Sequence, residues 1–276
     1  MKYPLARPLK KVTKAQAALN RRLLDAAKAG DLDAARQALA DGADPSARGD
    51  STKGDDETAL HYAAQANHPR MVRLLLDHGA DRTAERLQMD WDGGDGGDGD
   101  WCSVGWTPLN FAVYLGALDA VAEFLKDEPK QHADHWSPLD AALREGAQVD
   151  LAVVGPRLLA WNPDLVRVHN LFEDDVHEGR GQCLLVAALT GEPWFTVEGE
   201  ARVRWVITHC LDPYATGDDN LDRCVRFAVD HLDQDRDEAG IAFVEACAAE
   251  RKRAGFLAVA KTVNPSPKPS TTRGGL

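Results

Sequence analysis

Thr58-Ala59-Leu60-His61-Tyr62-Ala63-Ala64, followed by Met71-Val72-Arg73-Leu74-Leu75-Leu76 and then Gly79-Ala80-Asp81, holds two short helical patterns, each followed by a residue suited to end it. With Leu60 as the zero of a register, the alanines fall at plus 3 and plus 4, and Asn67 falls at plus 7 as a helix stop. The same register recurs upstream as Leu23, Ala26, Ala27 and Gly30, closing on Gly42-Ala43-Asp44. Downstream it recurs as Thr107-Pro108-Leu109, Ala112, Val113 and Gly116, and again as Ser137-Pro138-Leu139, Ala142, Leu143 and Gly146. A fifth segment, Leu184, Ala187, Ala188 and Gly191, keeps only the first helix. Self-similarity at a fixed period signals a solenoid of stacked supersecondary units.

Each element of the pattern has a physical reason. Thr or Ser before Pro caps a helix whose first turn has no use for the missing proline N–H. The small residues at plus 3 and plus 4 let a neighbouring helix approach closely. Gly30, Gly116 and Gly146 suit the left-handed backbone of a tight helix-helix turn, and Asn67 is the non-glycine residue that tolerates it best.

The pattern resembles the ankyrin repeat, whose signature is Thr-Pro-Leu-His, two alanines, a glycine, a leucine-rich second helix and a closing Gly-Ala-Asp. Residues 58–81 match it most closely. The first copy lacks the Thr-Pro start, the third and fourth lack the Gly-Ala-Asp end, and the resemblance thins beyond Trp161. It implies an all-α, ankyrin-type helical solenoid with short hairpin tips, closed by a helical C-terminal cap. For His61 it implies a buried, structural role. For function it implies non-catalytic protein–protein interaction on a concave face made of hairpin tips and the exposed side of each first helix.

Solenoids grow by addition, so 276 residues do not require two domains, and one continuous stack is the simpler expectation. Charge is unevenly spread. Residues 1–22 carry seven basic groups and residues 251–276 carry six, with no acidic group in either, which leaves 19 basic against 44 acidic groups in residues 23–250. That balance of −25 repels nucleic-acid phosphate and anionic lipid and favours a partner with a basic surface. Five cysteines without a Cys-x-x-Cys pair suit a reducing compartment. With no secretory signal and no membrane-length apolar run in view, the expected location is the cytoplasm.

Along the chain, residues 1–19 read as a basic extension turning helical near Thr13, where Thr13-Lys14-Ala15-Gln16 has the order of a capping box. Residues 20–161 carry the four repeats. The step from Leu60 to Leu109 is 49 residues where the family uses about 33, so an insertion of about 16 separates the second and third repeats. It reads as an acidic Gly/Asp loop over residues 88–104, bracketed by Trp91 and Trp101. In the fourth repeat, Val153-Val154-Gly155-Pro156 is expected to break the second helix, with Asn162-Pro163-Asp164 starting another. Residues 162–260 read as degenerate repeats and capping helices: one over residues 202–211, one after an Asn220 cap and one from Asp237 to Arg253. Residues 261–276 read as a disordered tail.

Catalytic signatures are missing from the sequence: no Gly-x-Ser-x-Gly, no phosphate loop and no His-Glu-x-x-His occur, and no cofactor is implied. His132-x-x-His135 lacks further zinc ligands nearby. Asp92, Asp95, Asp98 and Asp100 offer oxygen ligands for calcium, but in about one glycine-aspartate turn where a calcium coil stacks several. A calcium-responsive binding protein is therefore the alternative reading, and an enzyme the more distant one.

The partner-binding candidates come from register. Trp106 and Trp136 both stand three residues before the zero leucine, at predicted hairpin tips, with Trp91 and Trp101 beside them. Tyr114 and Leu115 take the exposed first-helix positions, where the neighbouring repeats place Gln65 and Arg144. Trp and Tyr dominate interface energetics, and Asp55, Asp56 and Glu57 are expected to supply rim charges that steer a basic partner. The expected roles are adaptor or stoichiometric, immunity-like inhibitor, both using this one surface.

Overall fold

Each first helix starts on a hydroxyl. Thr13, Thr58 and Thr107 accept a hydrogen bond from the backbone N–H three residues on, opening α1 (Lys14–Ala29), α3 (Ala59–Gln65) and α5 (Pro108–Tyr114). Ser137 does the same for α7 (Pro138–Leu143), its Oγ accepting from the Asp140 N–H at 3.1 Å. These contacts come from a computed structural model that describes residues 12–49, 56–89, 101–103, 106–128, 137–143, 147–166, 185, 188–189, 196–211, 220–234 and 236–263. Two compact units divide the chain, Met1–Gln182 and Cys183–Leu276.

In the first unit each first helix packs on its own second helix: α2 (Leu32–Ala40), α4 (Pro69–Asp77), α6 (Leu118–Phe124) and α8 (Leu151–Trp161). First helices stack on one another in the order α1, α3, α5, α7, while α2, α4 and α6 form a second row. The register explains the core. Leu23, Leu60, Leu109 and Leu139 are all buried, as are both residues at plus 3 and plus 4 in all four copies. Burying one such leucine contributes about 2 kcal/mol relative to leaving it in water. The alanine pairs contribute by being small, since they let the first helices approach one another.

The turns follow the same logic. Gly116 takes φ +67°, and a Cβ there would lie 2.9 Å from the Gln148 carbonyl oxygen of the next repeat. Asn67 takes φ +50° at the equivalent place and adds a bond that glycine lacks. Its Oδ1 accepts from the Ala120 N–H at 3.0 Å, capping α6, whose own N-cap residue Ala117 has no capping side chain.

The inserted segment departs from a plain loop. Its ends pair as β1 (Leu87–Met89) and β2 (Trp101–Ser103), antiparallel, with Met89 opposite Trp101 and Leu87 opposite Ser103. The third tip is thus lengthened into a two-stranded ladder, while residues 90–100 lie outside the described residues.

Pro156 does not break the fourth repeat: α8 runs unbroken from Leu151 to Trp161 with Pro156 inside it. At the sixth position the ring removes only the hydrogen bond to Ala152, and buried Leu151, Val154 and Leu158 hold the helix to its neighbours. Asn162 closes α8, and only a 3₁₀ turn, Pro163–Val166, follows.

Among the described residues the second unit has three long helices. Thr196 caps α9 (Val197–His209), which starts five residues before the expected 202 because the hydroxyl accepts from the Gly199 N–H at 3.1 Å. Asn220 and Asp237 cap α10 (Leu221–Gln234) and α11 (Glu238–Val263). Both α9 and α10 pack on α11, burying Ile207, Leu221, Cys224, Leu232, Val244 and Cys247. Of the fifth register copy, Ala188 is helical and buried, whereas Leu184, Ala187 and Gly191 lie outside the described residues. α11 runs past Arg253 into the first three residues of the expected tail.

Candidate binding surface

His61 organises the junction between the second and third repeats. Its Nδ1 accepts from the Thr58 N–H at 3.1 Å, so the ring proton sits on Nε2 and donates to the Trp106 carbonyl at 3.0 Å. The Arg86 N–H donates to the same carbonyl, also at 3.0 Å. Complete burial pushes the imidazole pKa down to about 4, outweighing the Trp106 hydrogen bond that raises it, so the ring is neutral near pH 7. His61 is a structural bridge, and its effect is to fix the backbone from which the Trp106 side chain projects.

Around that anchor three rings gather. Trp106 lies 4.9 Å from Phe111 in a tilted arrangement and 5.1 Å from Tyr114 edge-on, and Phe111 meets His61 edge-on at 5.8 Å. Such pairs contribute about 0.5–1.5 kcal/mol each beyond area burial. Trp106, Phe111 and Tyr114 are all half-buried. Trp106 is therefore not the bare tip that its register suggests but one wall of a cluster between the tip and α5. Phe111 is the member that register reasoning overlooked, although it stands at plus 2, where the second repeat has Tyr62.

Two cations close over rings of this row. Lys28 Nζ sits 4.1 Å from the centroid of Tyr62, and the Arg86 guanidinium sits 5.9 Å from that of Phe111. Leu115, the residue that closes α5, and Gln65, at the end of α3, are half-buried along the same row.

The expected acidic rim needs correction at two positions. Asp56 is only 4% exposed and pairs with Arg48 at 2.7 Å, while the same guanidinium also donates to the Glu85 carbonyl at 2.8 Å. Glu57 is half-buried, with Oε1 3.6 Å from Arg86 Nε. Asp56 is thus paired within its own hairpin and Glu57 with the next one, so neither is a free tip charge. The antiparallel bridge between Arg48 and Thr58 sets Arg48 beside Asp56 within one hairpin, and stacking of the next hairpin brings Arg86 alongside Glu57.

Asp55, Trp91, Trp136 and Arg144 lie outside the described residues, as do His132, His135, Asp92, Asp95, Asp98 and Asp100. Trp101 is placed only through the backbone of β2. Among the described residues no group of acidic, histidine and cysteine side chains is arranged to hold a metal ion, and no helix is long and apolar enough to cross a membrane.

Compared with curated proteins, the chain has no significant match. The family model for ankyrin repeats matches residues 23–134 in three copies, and the packing of α7 on α5 and of α8 on α7 adds a fourth helix pair beyond that match. Ankyrin repeats are protein–protein interaction modules. Capped helix pairs, alanine-mediated stacking, left-handed turns and the His61 bridge all coincide with the matched stretch, and residues 23–134 carry ankyrin repeats.

Proposed function

We propose that this protein binds a protein partner, without catalysis, on the concave face of repeats two to four, acting as an adaptor or as a stoichiometric inhibitor. The observation that carries this reading is the cluster of Trp106, Phe111 and Tyr114 at the junction of the third hairpin with α5. Rings held by packing lose little rotamer freedom on binding, so more of their buried area appears as affinity. The excess of acidic groups across residues 23–250 favours a partner with a basic surface, through the field of the whole body and not through Asp56 or Glu57.

The test is capture from the native source with wild-type chain and with a Trp106→Ala plus Tyr114→Ala variant, each shown to be folded by circular dichroism. The expected outcome is a captured protein lost with the double variant, since truncating central aromatic anchors costs about 2 kcal/mol or more each. Capture by the folded variant at wild-type level would move the interface elsewhere. Adaptor and inhibitor then separate on whether the captured protein keeps its own activity in the complex.

A further inference from the structure

Within the described part of the aromatic row, charge is compensated inside the chain. Arg48 is matched by Asp56 at 2.7 Å and Arg86 by Glu57 at 3.6 Å. The Lys28 ammonium lies over Tyr62 and the Arg86 guanidinium over Phe111. Among the described residues, Arg48 and Arg86 of the row are thus paired within the chain, although residues 23–182 of the same unit carry 14 basic against 30 acidic groups. A partner charge placed there would lose its hydration without gaining an opposite charge of its own, which is unfavourable. An apolar side chain loses nothing comparable and gains the half-buried surface of Trp106 and Tyr114.

Resting on the reading above, we propose that the occupant of the row is an uncharged aliphatic or aromatic segment of the partner, flanked by lysine or arginine residues that lie outside the contact. The two parts of such a segment do different work. Its apolar centre packs on Trp106 and Tyr114 and sets how long the complex lasts. Its basic flanks answer the acidic body at a distance and set how fast the complex forms. This arrangement differs from direct salt bridging at the tips, which would need Asp56 and Glu57 released from Arg48 and Arg86.

The test is a library of random 16-residue peptides displayed on phage and panned against the full chain. Enriched peptides are then made and titrated against wild type and against the Trp106→Ala plus Tyr114→Ala variant. The expected result is a centre of Leu, Ile, Phe or Trp between Lys or Arg residues, with affinity falling at least about tenfold on the variant. Peptides that depend on the two rings but carry Asp, Glu, Lys or Arg at their centre overturn the inference and leave the binding surface standing. Peptides indifferent to the rings, or no enrichment at all, overturn the inference and remove the surface with it. Should the double variant misfold, Tyr114→Glu at the end of α5 replaces it. That substitution puts a fixed charge in the row, and a tenfold or greater loss of affinity with the helical circular dichroism signal retained is the result the proposal requires.

Discussion

At His61 the proton balance determines stability. The buried ring has a folded-state pKa of about 4, whereas the unfolded chain titrates near 6.5. Between those values the unfolded state binds a proton that the folded state refuses, so stability is full above about pH 6.5 and falls as the pH drops towards 4. The whole shift corresponds to about 3 kcal/mol. Urea midpoints at pH 7 and pH 5 check it: the wild-type midpoint is expected to fall, and the fall to shrink in His61→Gln, which keeps hydrogen-bonding groups without titrating. An equal fall in both proteins would assign the pH response to other groups. Gly116 makes a steric counterpart. At φ +67°, with the Gln148 carbonyl oxygen 2.9 Å from where an alanine methyl would lie, Gly116→Ala is expected to cost about 2 kcal/mol or more. Gly79 has φ +82° and open space around it, so Gly79→Ala is expected to cost only the backbone term of about 1 kcal/mol. Equal thermal shifts for the two would mean that the next repeat does not press on the Gly116 turn.

Helix ends show how one repeat completes another. α6 begins at Ala117 without a capping side chain, and Asn67 of the preceding repeat supplies the acceptor to Ala120 across 53 residues of sequence. Two opposing effects meet at that asparagine. Its left-handed backbone, φ +50°, favours glycine, while its side chain contributes a cap of about 1 kcal/mol. Asn67→Ala is expected to lose the cap and keep the strain, costing about 2 kcal/mol, whereas Asn67→Gly loses the cap but relieves the strain and is expected to fall within about 1 kcal/mol of wild type. Denaturant midpoints of the pair decide it, and an alanine variant as stable as the glycine one would remove the cap from the account. The helices themselves were legible in the sequence, because Leu, the Ala pair and the turn residue repeat locally. The Asn67 cap was not, since it joins residues far apart in the chain. Asp56 and Glu57 looked like free tip charges because the pattern reveals neither the bridge that sets Arg48 beside Asp56 within one hairpin nor the stacking that brings Arg86 against Glu57. Pro156 misled in the opposite direction, a local helix breaker overruled by the burial of Val154 and Leu158.

Across the whole molecule the net charge of −12 conceals a basic segment at each end and an acidic middle of −25. A field of that size reaches about one Debye length, roughly 10 Å at 0.1 M salt and 3 Å at 1 M, so it acts on an approaching partner before any ring is touched. Once contact is made, the row around Trp106 and Tyr114, with Arg48 and Arg86 paired within the chain, leaves little for salt to screen. The two stages therefore respond differently to ionic strength. For the partner captured on this surface, raising salt from 50 to 500 mM is expected to slow association by about tenfold or more and to change dissociation by less than about twofold. Surface plasmon resonance at a series of salt concentrations measures both rates on the same complex. A dissociation rate that climbs as steeply as association falls would place ion pairs inside the contact and contradict the internal pairing of Asp56 with Arg48 as the bound arrangement. An association rate indifferent to salt would leave the acidic middle without a part in partner choice, and binding would then rest on the aromatic cluster alone.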